Sequence, residues 1–310
     1  MSIVKTDVPM TARLCQETIA RLAAAYPSIR AGTLTSTAYG RPVEVMSIGT
    51  GGRQVIFSAA HHANEWITTP LLLKFVEELA QAEKEGDSLY GVPAATITRY
   101  ATIHVVPMVN PDGVDLVTGA IQPGRAEYAA AEQIAANFPA IPFPDGWKAN
   151  LRGVDLNLQY PAGWLQAREI KFSQGFDRPA PRDFVGRAPL NQKESLALAE
   201  FTARIDPKLV LAFHTQGKVI YWQFRDIFVP GARELAEEFA RVSGYAMEDT
   251  PYESSFAGYK DWFIQNFRRP GFTIEVGQGE NPLPLSQFDE IYRDNLGILV
   301  TAALGLPGGA

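Results

Sequence analysis

The sequence has few of the features that mark several large classes of protein. It contains one cysteine, Cys15, among 310 residues, which excludes an internal disulfide framework and is typical of a small core side chain on a helix. No apolar run approaches the length that a bilayer-spanning helix needs. Residues 1–8 lack the basic segment and apolar core of a secretory signal. We therefore expect a cytoplasmic protein with no membrane partner.

Positive charge is also scarce. Lys and Arg number 28 against 34 Asp and Glu, for a net charge of −6 at pH 7. This balance argues against nucleic acid as a partner. The hydrophobic fraction of 46% and the charged fraction of 20% are typical of a globular protein with a large core. The length permits two domains, but α/β folds of this length are often single domains, and we predict one domain over residues 1–310.

Strand and helix patterns alternate along the chain. Short apolar runs predict strands at residues 33–37, 43–48, 55–60, 101–109, 209–213, 219–224 and 272–276. Apolar residues at helical spacing predict helices at residues 10–25, 66–80, 127–136, 192–204, 232–242, 258–267 and 285–304. This order predicts an α/β fold with a mixed, mostly parallel twisted sheet flanked by helices, and an antiparallel pair near residues 33–48. The glycines of residues 49–52 precede a strand, which indicates a β-hairpin turn and not a phosphate-binding loop.

His62 and Glu65 lie where the strand at residues 55–60 gives way to a helix. Open α/β sheets bind their ligands at the carboxyl ends of the strands. A His and a Glu three residues apart can direct a nitrogen and an oxygen at one point, and zinc accepts both. The spacing alone is a weak signal, and a His and a Glu on a polar loop is the alternative.

Two further residues interrupt apolar strands. His214 follows residues 209–213 and would complete a His-Glu-His set, unless it is a plain histidine at the end of a strand. Glu275 lies in an apolar strand, where a carboxylate either forms an ion pair with an Arg or serves as a general base with a raised pKa. His104 lies inside a strand and is expected to be a hydrogen-bonded core residue. Asp155 could accept a proton from a ligand histidine.

Five motifs, in their order along the chain, resemble those of the zinc metallocarboxypeptidase family. They are residues 62–65, 110–113 (Asn-Pro-Asp-Gly), 153–157 (Gly-Val-Asp-Leu-Asn), His214, and residues 273–276 (Thr-Ile-Glu-Val). The resemblance implies a Zn²⁺ ion bound by His62, Glu65 and His214, with Asp155 behind His62. It also implies Glu275 as the general base and Arg152, or alternatively Lys148, as the cation that stabilises the oxyanion. In that family zinc lowers the pKa of a water molecule to about 7 and polarises the amide carbonyl.

One departure from the family pattern concerns the substrate. The digestive members have Asn-Arg after the Gly-Val-Asp turn, and that Arg binds the free carboxylate of the substrate. Here the pair is Asn157 and Leu158, and leucine cannot form the two parallel hydrogen bonds of a guanidinium. We expect Asn157 and Gln216 to contact the substrate and another cation to replace the Arg, either Lys218 or one from residues 168–187.

Longer blocks resemble a bacterial branch of the family, the γ-D-glutamyl–diamino acid peptidases. They are residues 148–153, 159–164, 214–222, 258–262, 281–284 and 286–288. The resemblance implies cleavage of the amide between D-glutamate and meso-diaminopimelate or lysine in peptidoglycan stem peptides, as in cell-wall recycling, so the partner is a small peptide or muropeptide. It also implies Tyr252 as a mobile cap over the substrate, with Tyr259 as the alternative. Other possibilities are a carboxypeptidase acting on ordinary C-terminal residues, an amidase of small acyl-amino acids, and a catalytically silent binding module.

Overall fold

The computed structural model describes residues 2–306, and its centre is one eight-stranded sheet. The strands are β1 (Ile29–Ser36), β2 (Pro42–Ile48), β3 (Arg53–Ala59), β6 (Ala101–Val106), β7 (Leu209–His214), β8 (Val219–Tyr221), β9 (Ala246–Glu248) and β10 (Gly271–Glu275), while β4 (Ser88–Leu89) and β5 (Val92–Pro93) form a separate hairpin. Their order in the sheet is β1-β2-β6-β3-β7-β10-β8-β9. The central strands β6, β3, β7 and β10 are parallel, and β1 pairs with β2 in the antiparallel sense. The predicted fold class is confirmed.

Ten helices flank the sheet within the described residues. They are α1 (Ala12–Ala25), α2 (Thr68–Glu85), α3 (Ala94–Tyr100), α4 (Pro111–Val117), α5 (Ala126–Ala135), α6 (Trp164–Ser173), α7 (Lys193–Ile205), α8 (Ala232–Ser243), α9 (Tyr259–Phe267) and α10 (Phe288–Leu304). The side chains of β3, near the centre of the sheet, alternate between two hydrophobic cores, because successive side chains point to opposite faces. Phe57 belongs to the core that includes residues of α1, α2, α3, α8 and α10, whereas Ile56 belongs to the core that includes residues of α6, α7 and α9.

The predicted hairpin at residues 49–52 is wrong. Strands β2 and β3 are not neighbours, because β6 lies between them and pairs with both. The glycines instead allow this segment to pass very close to the backbone of residues 98–101. A Cβ atom on Gly51 would lie 2.0 Å from the backbone of Tyr100, and one on Gly49 would lie 2.2 Å from the carbonyl oxygen of Ala101. The segment therefore passes against the start of β6, where no side chain fits.

Other expectations from the sequence have clear outcomes. Cys15 is buried and free, as predicted. His104 is buried and bonds Ser47 and Gln54, which confirms its place in the core, and burial lowers its pKa to about 4. No helix within residues 2–306 combines the length and the apolar character that a membrane crossing requires.

A buried cluster of charged side chains links the turn between β1 and β2 to helix α4. Arg41 lies 2.9 Å from Asp112 and 2.7 Å from Asp115, whose carboxylates are almost entirely buried. Asp115 also accepts the N–H of Ala12 at the start of α1. The cluster therefore joins α1, the β1–β2 turn and α4, which follows the strand β6.

Replacing Arg41 by Met is expected to destabilise the protein by about 3 kcal/mol, because two buried carboxylates lose their cation. Thermal unfolding followed by circular dichroism measures this loss. Arg13→Met is the control, because the exposed Arg13–Glu17 pair is expected to contribute less than about 0.5 kcal/mol. Equal melting temperatures for the two variants would contradict the prediction.

Candidate active site

The predicted metal ligands and the predicted base converge at the carboxyl ends of three neighbouring parallel strands. His62 follows β3, His214 ends β7, and Glu275 ends β10 directly opposite His214 in the register. Glu65 lies in a single 3-10 turn, Ala63–Glu65, before α2. The sheet therefore brings together side chains that are more than 200 residues apart in sequence, as its parallel strands end at one edge.

His62, Glu65 and His214 could hold a divalent metal ion. The Nδ1 atoms of the two histidines lie 3.3 Å apart, and each lies 2.9 Å from an oxygen of the Glu65 carboxylate. A tetrahedral site with zinc–ligand distances of about 2.0–2.1 Å separates its ligand atoms by roughly 3.3 Å. The observed separations match that geometry, so the donor set fits zinc without rearrangement of the backbone.

Two neighbours hold the ligands in place. The Nε2 atom of His62 lies 3.2 Å from Asp155 Oδ1, which leaves Nδ1 directed at Glu65 and His214. The Nζ atom of Lys148 lies 2.8 Å from Glu65 Oε1. Carboxylate–histidine contacts of this kind fix the ring orientation and raise the basicity of the ligand nitrogen.

Asn110 fixes the segments that carry these residues. Its amide Nδ2 donates to the carbonyl oxygens of His61 and Ala149, at 3.2 and 3.0 Å. Its Oδ1 accepts the N–H of Gly113 and caps α4. The predicted turn at residues 110–113 is thus the start of a helix, and it ties the end of β3 to the segment that holds Lys148.

Charge governs the protonation of this site. Burial lowers the pKa of His62, but the carboxylates of Glu65 and Asp155 outweigh it and raise the pKa to about 9. Burial raises the pKa of Glu65, yet the charges of His62 and Lys148 hold it well below its usual value. Burial, and then the charge of Glu65, raise the pKa of Glu275 to about 8. A bound cation would lower the raised pKa values of His62 and Glu275, because it favours the deprotonated form of each group.

Within residues 2–306, Glu275 forms no structural ion pair of the kind that the sequence left open. The ion pairs around it are Lys148–Glu65, Lys171–Asp183 and Lys260–Asp261, and none includes its carboxylate. Its side chain is partly exposed to the cavity that also contains His62 and His214. The geometry therefore leaves this carboxylate free to accept a proton beside the metal ligands.

Two cavities meet at Glu275. The inner one has a volume of about 220 Å³ and reaches from His62 and His214 to α9. The outer one has a volume of about 870 Å³ and opens past Asn64 and Gln216. Four residues line both, namely Lys148, Arg182, Tyr221 and Glu275. A substrate that extends through both cavities would place its central bond at these four side chains.

The structure does not bring Arg152 into the site. Its side chain is exposed, and it lines neither cavity. Lys148, which the sequence offered as the alternative, lines both. The difference arises in the loop after α5, where Asn150 Oδ1 accepts the N–H groups of Arg152 and Val154 in a tight turn that carries the Arg152 side chain outward.

Replacing Lys148 by Met is expected to lower kcat about 100-fold, because an oxyanion loses a cationic donor. Arg152→Ala is the matched control and is expected to change kcat less than about twofold, since its side chain lies outside both cavities. Steady-state kinetics on one peptide substrate, with the metal content measured in each preparation, checks both. A larger loss from Arg152→Ala than from Lys148→Met would restore the family-based assignment.

Of three other residues that were predicted to bind the substrate, two line a cavity and one does not. Asn157 lines the inner cavity and Gln216 the outer one. Lys218 lines neither, because its ammonium is engaged with Glu290 and Asp294 on α10, at 2.6 and 3.0 Å. The expectation that Lys218 replaces the missing Arg therefore has no support from its position.

Tyr252 and Tyr259 are clearly distinguished by their surroundings. Tyr259 is fully buried and bonds Thr202 at 2.7 Å, which fixes it as a core residue. Tyr252 is 66% exposed and lies on a loop whose residues Thr250 and Ser254 line the inner cavity. Only Tyr252 is free to act as a cap, although in this structure its ring packs on Phe256 outside the inner cavity.

Sequence reasoning did not identify Lys260 and Asp261 individually as site residues, nor Lys171 and Asp183. Both pairs line the inner cavity, and all four residues are buried except Asp183, which is partly exposed. A signal was present for the first pair, since two charged residues follow Tyr259 and precede the apolar run Trp262–Phe263–Ile264 in this helix. The second pair lies within residues 168–187, which the sequence indicated only as a source of cations.

Comparisons with known proteins agree with this geometry. A family model described as zinc carboxypeptidase matches residues 15–297. The chain is 43% identical to gamma-D-glutamyl-L-diamino acid endopeptidase 1 of Lysinibacillus sphaericus, over 91% of this chain and 69% of that protein. It is 34% identical to an uncharacterized protein of Bacillus subtilis (strain 168), over 92% and 74%. Carboxypeptidase A from Helicoverpa armigera has the same fold, with a TM-score of 0.74 and 17% identity over 98% of this chain and 76% of that one.

The family model spans all three predicted metal ligands and Glu275, and the similarity to the first relative covers 91% of the chain. The resemblance first noted in five short motifs is confirmed. This chain belongs to the zinc carboxypeptidase family and is a metallopeptidase.

Proposed function

We propose that this enzyme hydrolyses the amide bond between the γ-carboxyl group of D-glutamate and a diamino acid in peptidoglycan stem peptides, with zinc held by His62, Glu65 and His214. The observation that carries the proposal is the charged lining of the inner cavity. Its cations are Lys148, Lys171, Arg182 and Lys260, and its acids are Asp155, Asp183, Asp261 and Glu275. A pocket for an apolar C-terminal side chain would be lined by apolar groups.

The missing family Arg is replaced, in this proposal, by Arg182. Leu158 lines the inner cavity without offering a donor. Arg182 lines the same cavity, and its Nε lies 2.6 Å from Asp183 Oδ2, which orients the guanidinium. Among the described residues only Nε has a partner, so both Nη groups can bind a substrate carboxylate in a bidentate manner. The 43% identity to an endopeptidase of this specificity supports the same assignment.

Zinc, when bound, polarises the amide carbonyl and activates a water molecule. The residues of this chain do the remaining work. Glu275 accepts a proton from the water whose oxygen adds to the carbonyl carbon, and Lys148 stabilises the negative charge that develops on the carbonyl oxygen. Glu275 then donates the proton to the nitrogen as the C–N bond breaks. The products are a peptide that ends in D-glutamate and a free diamino acid or a peptide that begins with one.

Two peptides of equal length test this proposal. One is L-Ala-γ-D-Glu-meso-diaminopimelate and the other is an α-linked tripeptide of L-amino acids, each incubated with the zinc-loaded protein. Release of diaminopimelate, measured by chromatography, is expected from the first peptide at a rate at least about tenfold higher than any release from the second. Faster release from the α-linked peptide would instead favour a carboxypeptidase of ordinary C-terminal residues.

A further inference from the structure

A cavity of about 320 Å³, here called the basal cavity, lies at the edge of the sheet opposite to the candidate active site. Four cations line it, namely Arg53, Lys208, Arg268 and Arg269, and no acidic side chain of the described residues joins them. None of its lining residues lines the inner or the outer cavity. It is therefore a separate feature of the molecule, with charge of one sign.

Three neighbouring parallel strands place these cations at one edge. Arg53 is the first residue of β3, Lys208 directly precedes β7, and Arg269 lies two residues before β10. The N–H of Lys208 donates to the carbonyl oxygen of Gln54 at 2.7 Å, which fixes the two chain segments side by side. Neighbouring strands lie about 4.8 Å apart, so the long side chains at this edge can reach one bound group. The carboxyl ends of the same strands, which carry the candidate active site, lie roughly 20 Å away.

The positive charges of the basal cavity are only partly balanced by the protein. Arg269 is engaged with Asp206, whose carboxylate oxygens lie 2.7 Å from Nη1 and 3.1 Å from Nη2. Arg53 Nε is buried without a hydrogen-bond partner within residues 2–306, and burial lowers the pKa of this guanidinium. An unpaired buried donor costs free energy, and like charges in one cavity repel each other. Arg53, Lys208 and Arg268 therefore favour a ligand with more than one negative charge.

The backbone at the start of α8 adds to this preference. Gly231 lines the basal cavity and precedes the twelve residues of α8, and no side chain caps the helix there. The first N–H groups of a helix and its dipole both favour an anion. Glu234 in the first turn offsets part of that effect, but it does not line the cavity. The helix supplements the three cations and does not by itself define the site.

The number of donors and the apolar wall indicate the class of ligand. A phosphate monoester carries nearly two negative charges and three strong acceptor oxygens, one for each of the three cations. A carboxylate has one charge and would leave two of them unopposed. The cavity is roughly ten times the volume of a water molecule, which is more than a phosphate group fills. Leu235, Pro270 and Leu306 provide apolar surface for the remainder of the ligand.

We propose that the basal cavity binds a soluble phosphate monoester whose organic part is small and apolar or aromatic. The phosphate group contacts Arg53, Lys208 and Arg268, and the organic part lies against Leu235 and Pro270. This site goes beyond the proposed hydrolytic function and does not depend on it, because it lies at the other end of the strands. A bound dianion removes the repulsion among the three cations, so binding stabilises the folded protein.

Phenyl phosphate and benzoate are the probes that test this proposal, because they share an aromatic ring and differ in their anionic group. Both are titrated by calorimetry into the full zinc-loaded chain at constant ionic strength. Phenyl phosphate is expected to bind at least about tenfold more tightly than benzoate. At 100 times its Kd it is expected to raise the melting temperature by about 4 °C. Equal affinity for the two probes would overturn the choice of a phosphate ligand.

The double variant Lys208→Met with Arg268→Met tests the position of the site. Both side chains are exposed, so the variant is expected to fold and to hydrolyse peptides as wild type does. Its affinity for phenyl phosphate is expected to fall at least about tenfold. The matched control, Arg13→Met with Arg241→Met, makes the same change in net charge at exposed positions and is expected to keep the affinity of wild type.

Binding of phenyl phosphate at the metal ion or beside Lys148 would be equal in wild type and in both double variants, so this comparison isolates the basal cavity. Unchanged affinity in the Lys208–Arg268 variant, or an equal loss in the control, would overturn the proposal. Sedimentation with phosphatidylcholine vesicles that contain phosphatidic acid distinguishes a membrane source of the same phosphate group. We expect no more binding than to phosphatidylcholine alone. Binding to these vesicles without binding of phenyl phosphate would contradict a soluble ligand.

Discussion

Replacing Glu275 by Gln is expected to lower kcat by roughly 10³- to 10⁴-fold, which is the upper range of what a general base contributes. The amide retains the size of the carboxylate but cannot accept the proton. Because Glu275 takes part in none of the ion pairs that the described residues form around the cavity, its replacement breaks no ion pair among them. Folding and zinc content, measured by circular dichroism and by metal analysis, are therefore expected to stay unchanged.

Glu280→Gln is the matched control for this variant. It makes the same chemical change at an exposed position on the rim of the outer cavity, five residues along the chain. We expect kcat to change less than about twofold, because an exposed carboxylate outside the reacting centre contributes little. Retained hydrolysis by the Glu275 variant, with normal zinc content, would show that another group accepts the proton.

The pH dependence follows from the same assignment. A carboxylate base works only when ionised, so kcat/KM of the wild type is expected to fall as the pH drops below the pKa of Glu275. Burial and the charge of Glu65 raise that pKa to about 8 in the metal-free protein, and a bound cation lowers it. The midpoint of the acidic limb is therefore expected below pH 8 in the zinc enzyme. A pH–rate profile that stays flat from pH 5 to 9 would contradict the assignment.

The sequence predicted the central sheet well because its parallel strands are buried on both faces. Such strands appear as continuous apolar runs, as residues 209–213 and 272–276 do. The order of strands was not available from the same signal. Nothing in residues 43–60 indicates that a strand formed by residues 101–106 lies between β2 and β3. Helix α6 was missed because only Ala167 and Lys171 of its ten residues are buried, so its apolar periodicity is weak.

The residues of the candidate active site show the same contrast between regular strands and irregular segments. His62, His214 and Glu275 end predicted strands, and a parallel sheet forces such positions together whatever the loops do. Arg152, Lys218 and Tyr252 lie in irregular segments, where the direction of a side chain depends on local hydrogen bonds. Asn150 provides those bonds at Arg152, and the acids of α10 provide them at Lys218. Family motifs indicated Arg152 and Lys148 as candidates for the cation that stabilises the oxyanion, and only the path of the chain shows that Lys148 lines both cavities while Arg152 lines neither.

Replacing His214 by Ala is expected to abolish stable zinc binding, with kcat reduced at least about 10⁴-fold. His214 supplies one of three donor groups and is 2% exposed, and alanine offers no side-chain atom that can bind a metal ion in its place. Metal analysis after dialysis against a weak chelator measures the zinc content directly. A ligand that binds only the folded state stabilises it by about 4 kcal/mol at 1,000 times its Kd. Added zinc is therefore expected to raise the melting temperature of wild type but not of the variant.

His104→Ala is the control that separates loss of a ligand from loss of a buried ring. His104 is also buried in the sheet, on β6, and it bonds Ser47 on β2 and Gln54 at the start of β3, the end of that strand opposite to His62. Its replacement is expected to lower the melting temperature while the zinc content and the response to added zinc persist. If the His214 variant retained zinc and activity, or if the His104 variant lost zinc to the same extent, the three converging donors would not be the metal site. The role of Glu275 as a base beside that metal would then lose its physical foundation.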